Sequence, residues 1–333
     1  MKCRIAWQPS IQHGTKYAPS GGYTKSEFLI KREPMTAAPG NLSEQDGASP
    51  FLADSAWVDA VRPSPNHGKR RNSHANSKPS LVLLHYTGMP AGRGLTAAER
   101  ATRWLTDPRS EVSSHYVVAE DGAICQLVPE AARAWHAGRG AWKSERDVNS
   151  ASVGIEIVNP GHFWDMSTAP DLPPGEAAEM HPGYQPFPDA QIEAVIRLLA
   201  DIVARNGMAP AAILAHSDIA PERKSDPGEM FPWARLAAAG LGLWVEPAPI
   251  EGDDGFAPGA EGQPISALQS MLALFGYDLP VTGVYDGATA AVITAFQRHW
   301  RPEKVDGRAD RSTVLTLHRL IRAADEDRRR LAS

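Results

Sequence analysis

Cysteine is almost missing from this chain. Of 333 residues only Cys3 and Cys125 carry a thiol, too few and too far apart for a disulfide framework or a cysteine-based metal cluster. Cys125, within Ala123-Ile124-Cys125-Gln126-Leu127-Val128, reads as a small strand residue. Long hydrophobic runs are missing too: no stretch of 18 apolar residues occurs, which excludes a transmembrane helix. There is no surplus of positive charge. The 34 Lys and Arg face 39 Asp and Glu, for a net charge of −5, so no basic field exists to grip a phosphate backbone and nucleic acid is excluded as a partner. The opening Met1-Lys2-Cys3-Arg4-Ile5-Ala6-Trp7-Gln8-Pro9 develops no apolar stretch of the secretory kind. The expected location is therefore cytoplasmic, or periplasmic or envelope if translation starts elsewhere than assigned, Met35 being another candidate start.

What is present is ordinary for a globular chain of more than one domain: 42% hydrophobic and 22% charged residues. Residues 1–50, rich in Ser, Gly, Pro and Thr without hydrophobic period, are expected to be disordered. Residues 51–245 form the first domain. It opens on an approach segment whose alternate prolines, Pro63 and Pro65, are expected to keep it out of regular structure. Leu81-Val82-Leu83-Leu84 reads as a buried strand, and Thr96 with Glu99 as the capping box of a helix ending before Pro108. Ser114 to Val128, folded about Asp121-Gly122, reads as a hairpin. Ser152 to Val158 alternates, with Val153, Ile155 and Ile157 on one face and Glu156 on the other. A helix from Asp189 to Gly207 carries an apolar stripe through Ile192, Val195, Ile196, Leu199 and Ile202, with Glu193/Arg197 and Asp201/Arg205 as expected ion pairs.

Residues 246–264 are a Pro/Gly linker, expected to let the C-terminal residues dock independently. In residues 265–333, Val281-Thr282-Gly283-Val284-Tyr285-Asp286 is echoed by Val305-Asp306-Gly307-Arg308-Ala309-Asp310. Each repeat ends in an Asp placed to cap a helix, and with the helix before them they make a three-helix unit.

The chemistry concentrates between Ala215 and Gly228, where a buried strand stops at His216 and turns into Pro-punctuated polar sequence containing Lys224 and Asp226. A neutral imidazole and a carboxylate are good zinc ligands but not yet a site; His85, at the end of the other buried strand, supplies a third. His85, His216 and Asp226 on one Zn2+ leave a fourth position open, the catalytic rather than the closed structural pattern. Glu156 then suits proton transfer and Lys224 suits an oxyanion. His115 is expected to be structural, as are His74, His162 and His299.

Five ordered motifs carry a resemblance. They are His85-Tyr86-Thr87, Ser114-His115-Tyr116 with Asp121-Gly122, Ala134-Trp135-His136-Ala137-Gly138, Gly154 to Gly161, and His216 to Gly228. Together they resemble the zinc-dependent N-acetylmuramoyl-L-alanine amidases of the type-2 family, akin to peptidoglycan recognition proteins. The C-terminal repeat unit resembles a type 1 peptidoglycan-binding domain. The resemblance implies an α/β fold with a central mixed β-sheet flanked by helices, and hydrolysis of the amide between the lactyl group of N-acetylmuramic acid and L-alanine of the stem peptide. It implies His85, His216 and Asp226 as metal ligands, Glu156 and Lys224 as catalytic residues, and Trp135, His136 and Asn159 in contact with a peptidoglycan or muropeptide substrate. A monomer is the expected state. Two readings compete with it: a noncatalytic peptidoglycan receptor on the same fold, and a zinc peptidase acting within the stem peptide.

Overall fold

The computed structural model describes residues 51–71, 74, 78–92, 94–162, 182–252 and 254–332. The expected disordered stretch 1–50 lies outside them.

A six-stranded mixed sheet organises the first domain. Its strands are β1 (Ala60–Val61), β3 (Leu81–Tyr86), β4 (Tyr116–Val118), β5 (Ile124–Gln126), β7 (Ser152–Ile157) and β8 (Ile213–Ala215), in the order β1-β5-β4-β7-β3-β8. Strands β4, β7, β3 and β8 run parallel to one another, while β4 and β5 form the antiparallel hairpin expected about Asp121-Gly122. Gly122 has φ +88°, and a Cβ there would lie 2.7 Å from the Ala190 carbonyl oxygen, so the turn takes no other residue without shifting. A second small sheet pairs β2 (His67–Lys69) with β6 (Ala132–Ala134). The approach segment is thus more regular than its prolines suggest: Ala60–Val61 and His67–Lys69 pair on either side of them.

Parallel central strands are covered on both faces, which is why β3 reads as an unbroken apolar run. One face packs under α3 (Asp189–Asn206), reached after α1 (Ala97–Thr106) and the single turn α2 (Val148–Ala151). Val82, Leu84, Val153, Ile155 and Ile157 meet Ile192, Val195, Leu199 and Ile202 of α3 in one buried cluster. Gly207 closes α3 in the left-handed conformation, and Asp201 pairs with Arg205 at 2.9 Å. The expected Glu193/Arg197 pair is replaced: Glu193 reaches Arg235 at 3.3 Å, and the Arg197 guanidinium sits over the Trp57 ring. After β8 come the one-turn helix α4 (His216–Ile219) and the short α5 (Trp233–Ala238).

The C-terminal unit holds α6 (Gln263–Phe275), α7 (Gly287–Trp300) and α8 (Arg311–Ala332). The sequence repeat has a structural counterpart. Gln269 of α6, fully buried, accepts from Thr282 N and Gly283 N at 2.9 Å and donates to the Val284 carbonyl at 2.9 Å. Gln297 of α7 does the same for the second copy, accepting from Asp306 N (2.9 Å) and Gly307 N (2.8 Å) and donating to the Arg308 carbonyl (2.8 Å). Asp286 and Asp310 each accept the backbone N–H three residues on, at 2.8 Å, as the expected caps.

This unit is not a body on a free tether. Leu83, Ala137, Trp142, Leu214 and Ile219 of the first domain share one buried cluster with Leu268, Leu272, Phe275, Tyr277 and Trp300. The linker itself is pinned: Ala248 N donates to Thr316 Oγ1 at 3.0 Å, and Ser312 Oγ to the Ala248 carbonyl at 2.6 Å. Independent docking, expected from the Pro/Gly composition, gives way to an apolar interface on the sheet face opposite α3.

Candidate metal centre

Strand pairing delivers the three expected donors to one place. His85 lies at the end of β3 and His216 follows β8 directly; because β8 runs parallel to β3, both imidazoles leave the same end of the sheet. Asp226 comes back to them on the polar loop, whose backbone is tied to α4 by the Ser217 N–H donating to the Asp226 carbonyl at 3.0 Å. His85 Nδ1 lies 2.9 Å from His216 Nδ1 and 2.9 Å from Asp226 Oδ2, and His216 Nδ1 lies 3.0 Å from the same oxygen. All three side chains are buried.

The hydrogen-bond partners fix where the protons are. His216 Nε2 is 3.0 Å from the Ala137 carbonyl, which only accepts, so Nε2 carries the proton and Nδ1 presents a lone pair. The Ser152 hydroxyl donates to the Val148 carbonyl at 2.6 Å and so accepts from His136 Nε2 at 3.3 Å. His136 Nδ1 must then accept from His85 Nε2 at 3.0 Å, which leaves His85 Nδ1 unprotonated as well. Burial, then the neighbouring His216, pushes His85 down to about 4, in keeping with a neutral ring. Two nitrogen lone pairs and a carboxylate oxygen therefore face one another at 3 Å or less with no proton between them. A cation relieves that arrangement, and two neutral imidazoles with one carboxylate are a zinc-like donor set. Among the described residues this trio is the group able to hold a metal ion, its donor atoms all within 4.8 Å of one another.

Glu156 stands beside it. In the β3–β7 register it pairs with His85, so the two share one face of adjacent strands, and β7 lies inside the sheet between β4 and β3. A solvent-facing charge on an edge strand is thereby ruled out. Its Oε2 is buried with no hydrogen-bond partner among the described residues. Burial first, and the Asp226 charge second, raise Glu156 to about 8, with the Lys224 charge opposing them. Lys224 lines the same cleft from the turn in which its backbone N–H donates to the Ala220 carbonyl at 2.9 Å.

Trp135 and His136 also line this cleft. Asn159, for which the resemblance implies substrate contact, is not among the described residues that line it. Its side chain is consumed by the protein, Nδ2 donating to the Gln185 carbonyl and Oδ1 accepting from Gly161 N, both at 2.9 Å, and the residue is 3% exposed. His115 is structural as expected: fully buried, it accepts from Gly154 N at 2.9 Å, and burial lowers it to about 3. Sequence reasoning missed the apolar wall of the cleft, Met89, Ala101, Trp104, Leu105 and Val112. The spacing of Ala101, Trp104 and Leu105 on α1 was its available signal. It also missed Asn149, whose Oδ1 accepts from both His136 N (3.0 Å) and Ala137 N (2.9 Å) and so sets the loop behind both histidines of the trio.

A helix-flanked mixed sheet with a buried His/His/Asp trio at its edge and a solitary Glu beside it is the build of a metal-dependent amidase. Residues 75–229 match the family model described as N-acetylmuramoyl-L-alanine amidase, and residues 261–317 match that of a peptidoglycan binding domain. The N-acetylmuramoyl-L-alanine amidase AmiD of Escherichia coli K12 is 35% identical over 268 residues, covering 78% of this chain and 88% of the relative. The 1,6-anhydro-N-acetylmuramyl-L-alanine amidase AmpD of Enterobacter cloacae is 29% identical over 56% of this chain and 94% of its own length. Among solved structures, E. coli AmiD in complex with anhydro-N-acetylmuramic acid-L-Ala-D-gamma-Glu-L-Lys aligns at TM-score 0.57 and 34% identity, over 76% of this chain and 93% of that one. AmpDh3 of Pseudomonas aeruginosa with anhydromuramic pentapeptide aligns at TM-score 0.59 and 30% identity, over 77% and 96%. The chain belongs to the N-acetylmuramoyl-L-alanine amidase family, and carries the peptidoglycan-binding domain with it.

Proposed function

We propose that this chain is a zinc amidase that cleaves the amide joining the lactyl group of N-acetylmuramic acid to L-alanine of the stem peptide, with His85, His216 and Asp226 holding the metal. The observation that carries this reading is the meeting of two imidazole lone pairs and a carboxylate on one point, inside a cleft that also holds Glu156 and Lys224. The anhydro-muramyl peptides bound in the AmiD and AmpDh3 structures support the substrate class.

When bound, zinc would supply a Lewis acid for the scissile carbonyl and lower the pKa of a water to about 7. The remaining work falls to the chain. Glu156, poorly solvated and close to neutral pH in its affinity for a proton, takes one from the attacking water and returns it to the leaving amine of L-alanine. Lys224 faces the oxygen on which negative charge develops. Trp135 and the α1 wall exclude water from one side of the cleft. His136 acts behind His85: it accepts a hydrogen bond from Nε2, which leaves the Nδ1 lone pair available to hold zinc. Gly154 makes room for it, since a Cβ there would lie 2.5 Å from the His136 ring.

His136→Ala is accordingly expected to weaken zinc binding by about 10–100-fold, as loss of an outer-shell partner does. Competition against a fluorescent chelator measures it, and an unchanged affinity would reduce His136 to a cleft-lining residue. The reaction itself is tested by mass spectrometry of digests of an anhydro-muramyl tetrapeptide and of sacculi. Free muramyl sugar together with an intact stem peptide beginning at L-alanine is expected. Shortened peptides still attached to the sugar would make the chain a peptidase, and no product from zinc-loaded protein would make it a receptor.

A further inference from the structure

Asp218 is the most tightly held carboxylate near the metal centre, yet it points away from it. Its Oδ2 accepts from Ala215 N at 2.8 Å and from His299 Nδ1 at 2.7 Å, and its Oδ1 accepts from the Tyr277 hydroxyl at 3.2 Å. The side chain is 0% exposed, and no Lys or Arg pairs with it among the described residues. Two of its three donors, His299 and Tyr277, therefore belong to the C-terminal unit, and the third is the backbone N–H immediately before His216.

The donors are held as firmly as the acceptor. The His299 ring lies between Trp233 and Trp300, stacked on each at 3.6 Å, so its Nδ1 has one direction available. Nε2 is buried without a partner, which assigns the proton to Nδ1, and burial lowers the ring's basicity so that it stays neutral. Tyr277 is fixed edge-on against Trp142 of the first domain, with centroids 5.2 Å apart.

A single helical turn such as His216–Ile219 does not hold itself, because one turn fixes several residues for one hydrogen bond. Its internal bond is Ala220 N to the His216 carbonyl, at 3.1 Å. What sets its entry angle is the Asp218 carboxylate folded back on Ala215 N, and that entry angle aims His216. The same turn fixes Asp226 through Ser217 N. An Asp218 deprived of the donors across the interface would be a buried carboxylate short of partners, and the backbone would move to rehydrate it.

We propose that the C-terminal unit is part of the metal site's scaffold: His299 and Tyr277 are positioning residues that hold Asp218, and Asp218 holds the turn presenting two of the three ligands. This inference rests on the reading of His216 and Asp226 as zinc ligands. It adds a role to a unit whose family resemblance assigns it only to the wall.

The test uses the full-length zinc-loaded chain. His299→Leu removes the donor, His299→Asn keeps one at nearly the same place, and Tyr277→Phe removes only a hydroxyl. Zinc affinity is read by chelator competition, folding by thermal unfolding of the zinc-free form, and turnover on a small soluble muropeptide that needs no wall binding. His299→Leu is expected to lose about 10–100-fold in zinc affinity and to lower kcat more than KM. His299→Asn should restore affinity to near wild type, and Tyr277→Phe should lose about tenfold, the equivalent of one hydrogen bond to a charged group. Should His299→Leu fail to fold, Tyr277→Phe decides the matter by itself. Variants that bind zinc as wild type does, with any loss confined to adhesion to insoluble wall, would overturn the inference. A wild-type chain that binds no zinc would instead overturn the metal reading beneath it, a result the variants cannot mimic.

Discussion

Glu156→Gln is expected to lower kcat by about 10²–10⁴-fold, the usual share of a positioned acid–base group, while leaving bound zinc and stability unchanged. The substitution keeps the shape of the side chain and removes only its ability to take up a proton. The geometry explains why this carboxyl suits the task. It sits on an interior strand, level with His85, with one oxygen buried and unpartnered, and burial together with the Asp226 charge raises it to about 8. A cation at the trio would draw it back toward neutrality by offsetting the Asp226 charge. Such a group is ready to exchange a proton at physiological pH, whereas an exposed glutamate, near 4.3, holds one too weakly. Steady-state kinetics on a soluble muropeptide, with zinc content measured on the same sample, checks the expectation. A Glu156→Gln enzyme within about threefold of wild type would remove Glu156 from proton transfer, since even the weakest such groups contribute more.

Asp226→Ala is expected to abolish turnover by a different route, and the two are separable. Asp226 faces both histidine nitrogens at 2.9–3.0 Å and is the one anionic donor of the trio, so its removal takes away zinc's anionic ligand. The stabilisation that zinc gives the folded state, about 4 kcal/mol at a thousandfold excess over Kd, should therefore vanish. Thermal unfolding with and without zinc reads this directly. Wild type and Glu156→Gln should show a zinc-dependent rise in midpoint, and Asp226→Ala should show none. An undiminished rise in Asp226→Ala would mean that the ion sits elsewhere.

How much of this was legible in the sequence depended on how local the cause was. The unbroken apolar run Leu81 to Leu84 announced a strand covered on both faces, and period-two alternation placed Glu156 opposite Val153, Ile155 and Ile157; both readings rest on neighbours along one strand. The capping box at Thr96 and Glu99, the Asp121-Gly122 turn and the Gly207 stop are equally short-range. The trio was legible because each histidine ended its own apolar strand, so sheet pairing alone brings them together.

What the sequence withheld was the identity of distant partners. Asp218 lies inside the polar segment between Ala215 and Gly228, but its donors Tyr277 and His299 are 59 and 81 residues further on. Linker composition likewise reports chain stiffness and is silent about the faces it joins; Leu83 and Leu214 read as buried without revealing that the C-terminal unit covers them. The side-chain partners of Asn159 were hidden for a related reason: a polar loop residue near a site can serve the loop itself, here by bridging Gln185 and Gly161. Glu193 found Arg235 instead of its helical neighbour because α5 packs beside α3, a tertiary fact that i,i+4 spacing cannot contain.

The central claim, that three side chains from separate parts of the chain share one catalytic ion, is tested most directly by titrating zinc into the metal-stripped protein while following muropeptide hydrolysis. Activity should rise linearly and stop at one zinc per chain, with His85→Ala, His216→Ala and Asp226→Ala each failing to respond. Full hydrolysis by stripped protein held in excess chelator would contradict the account.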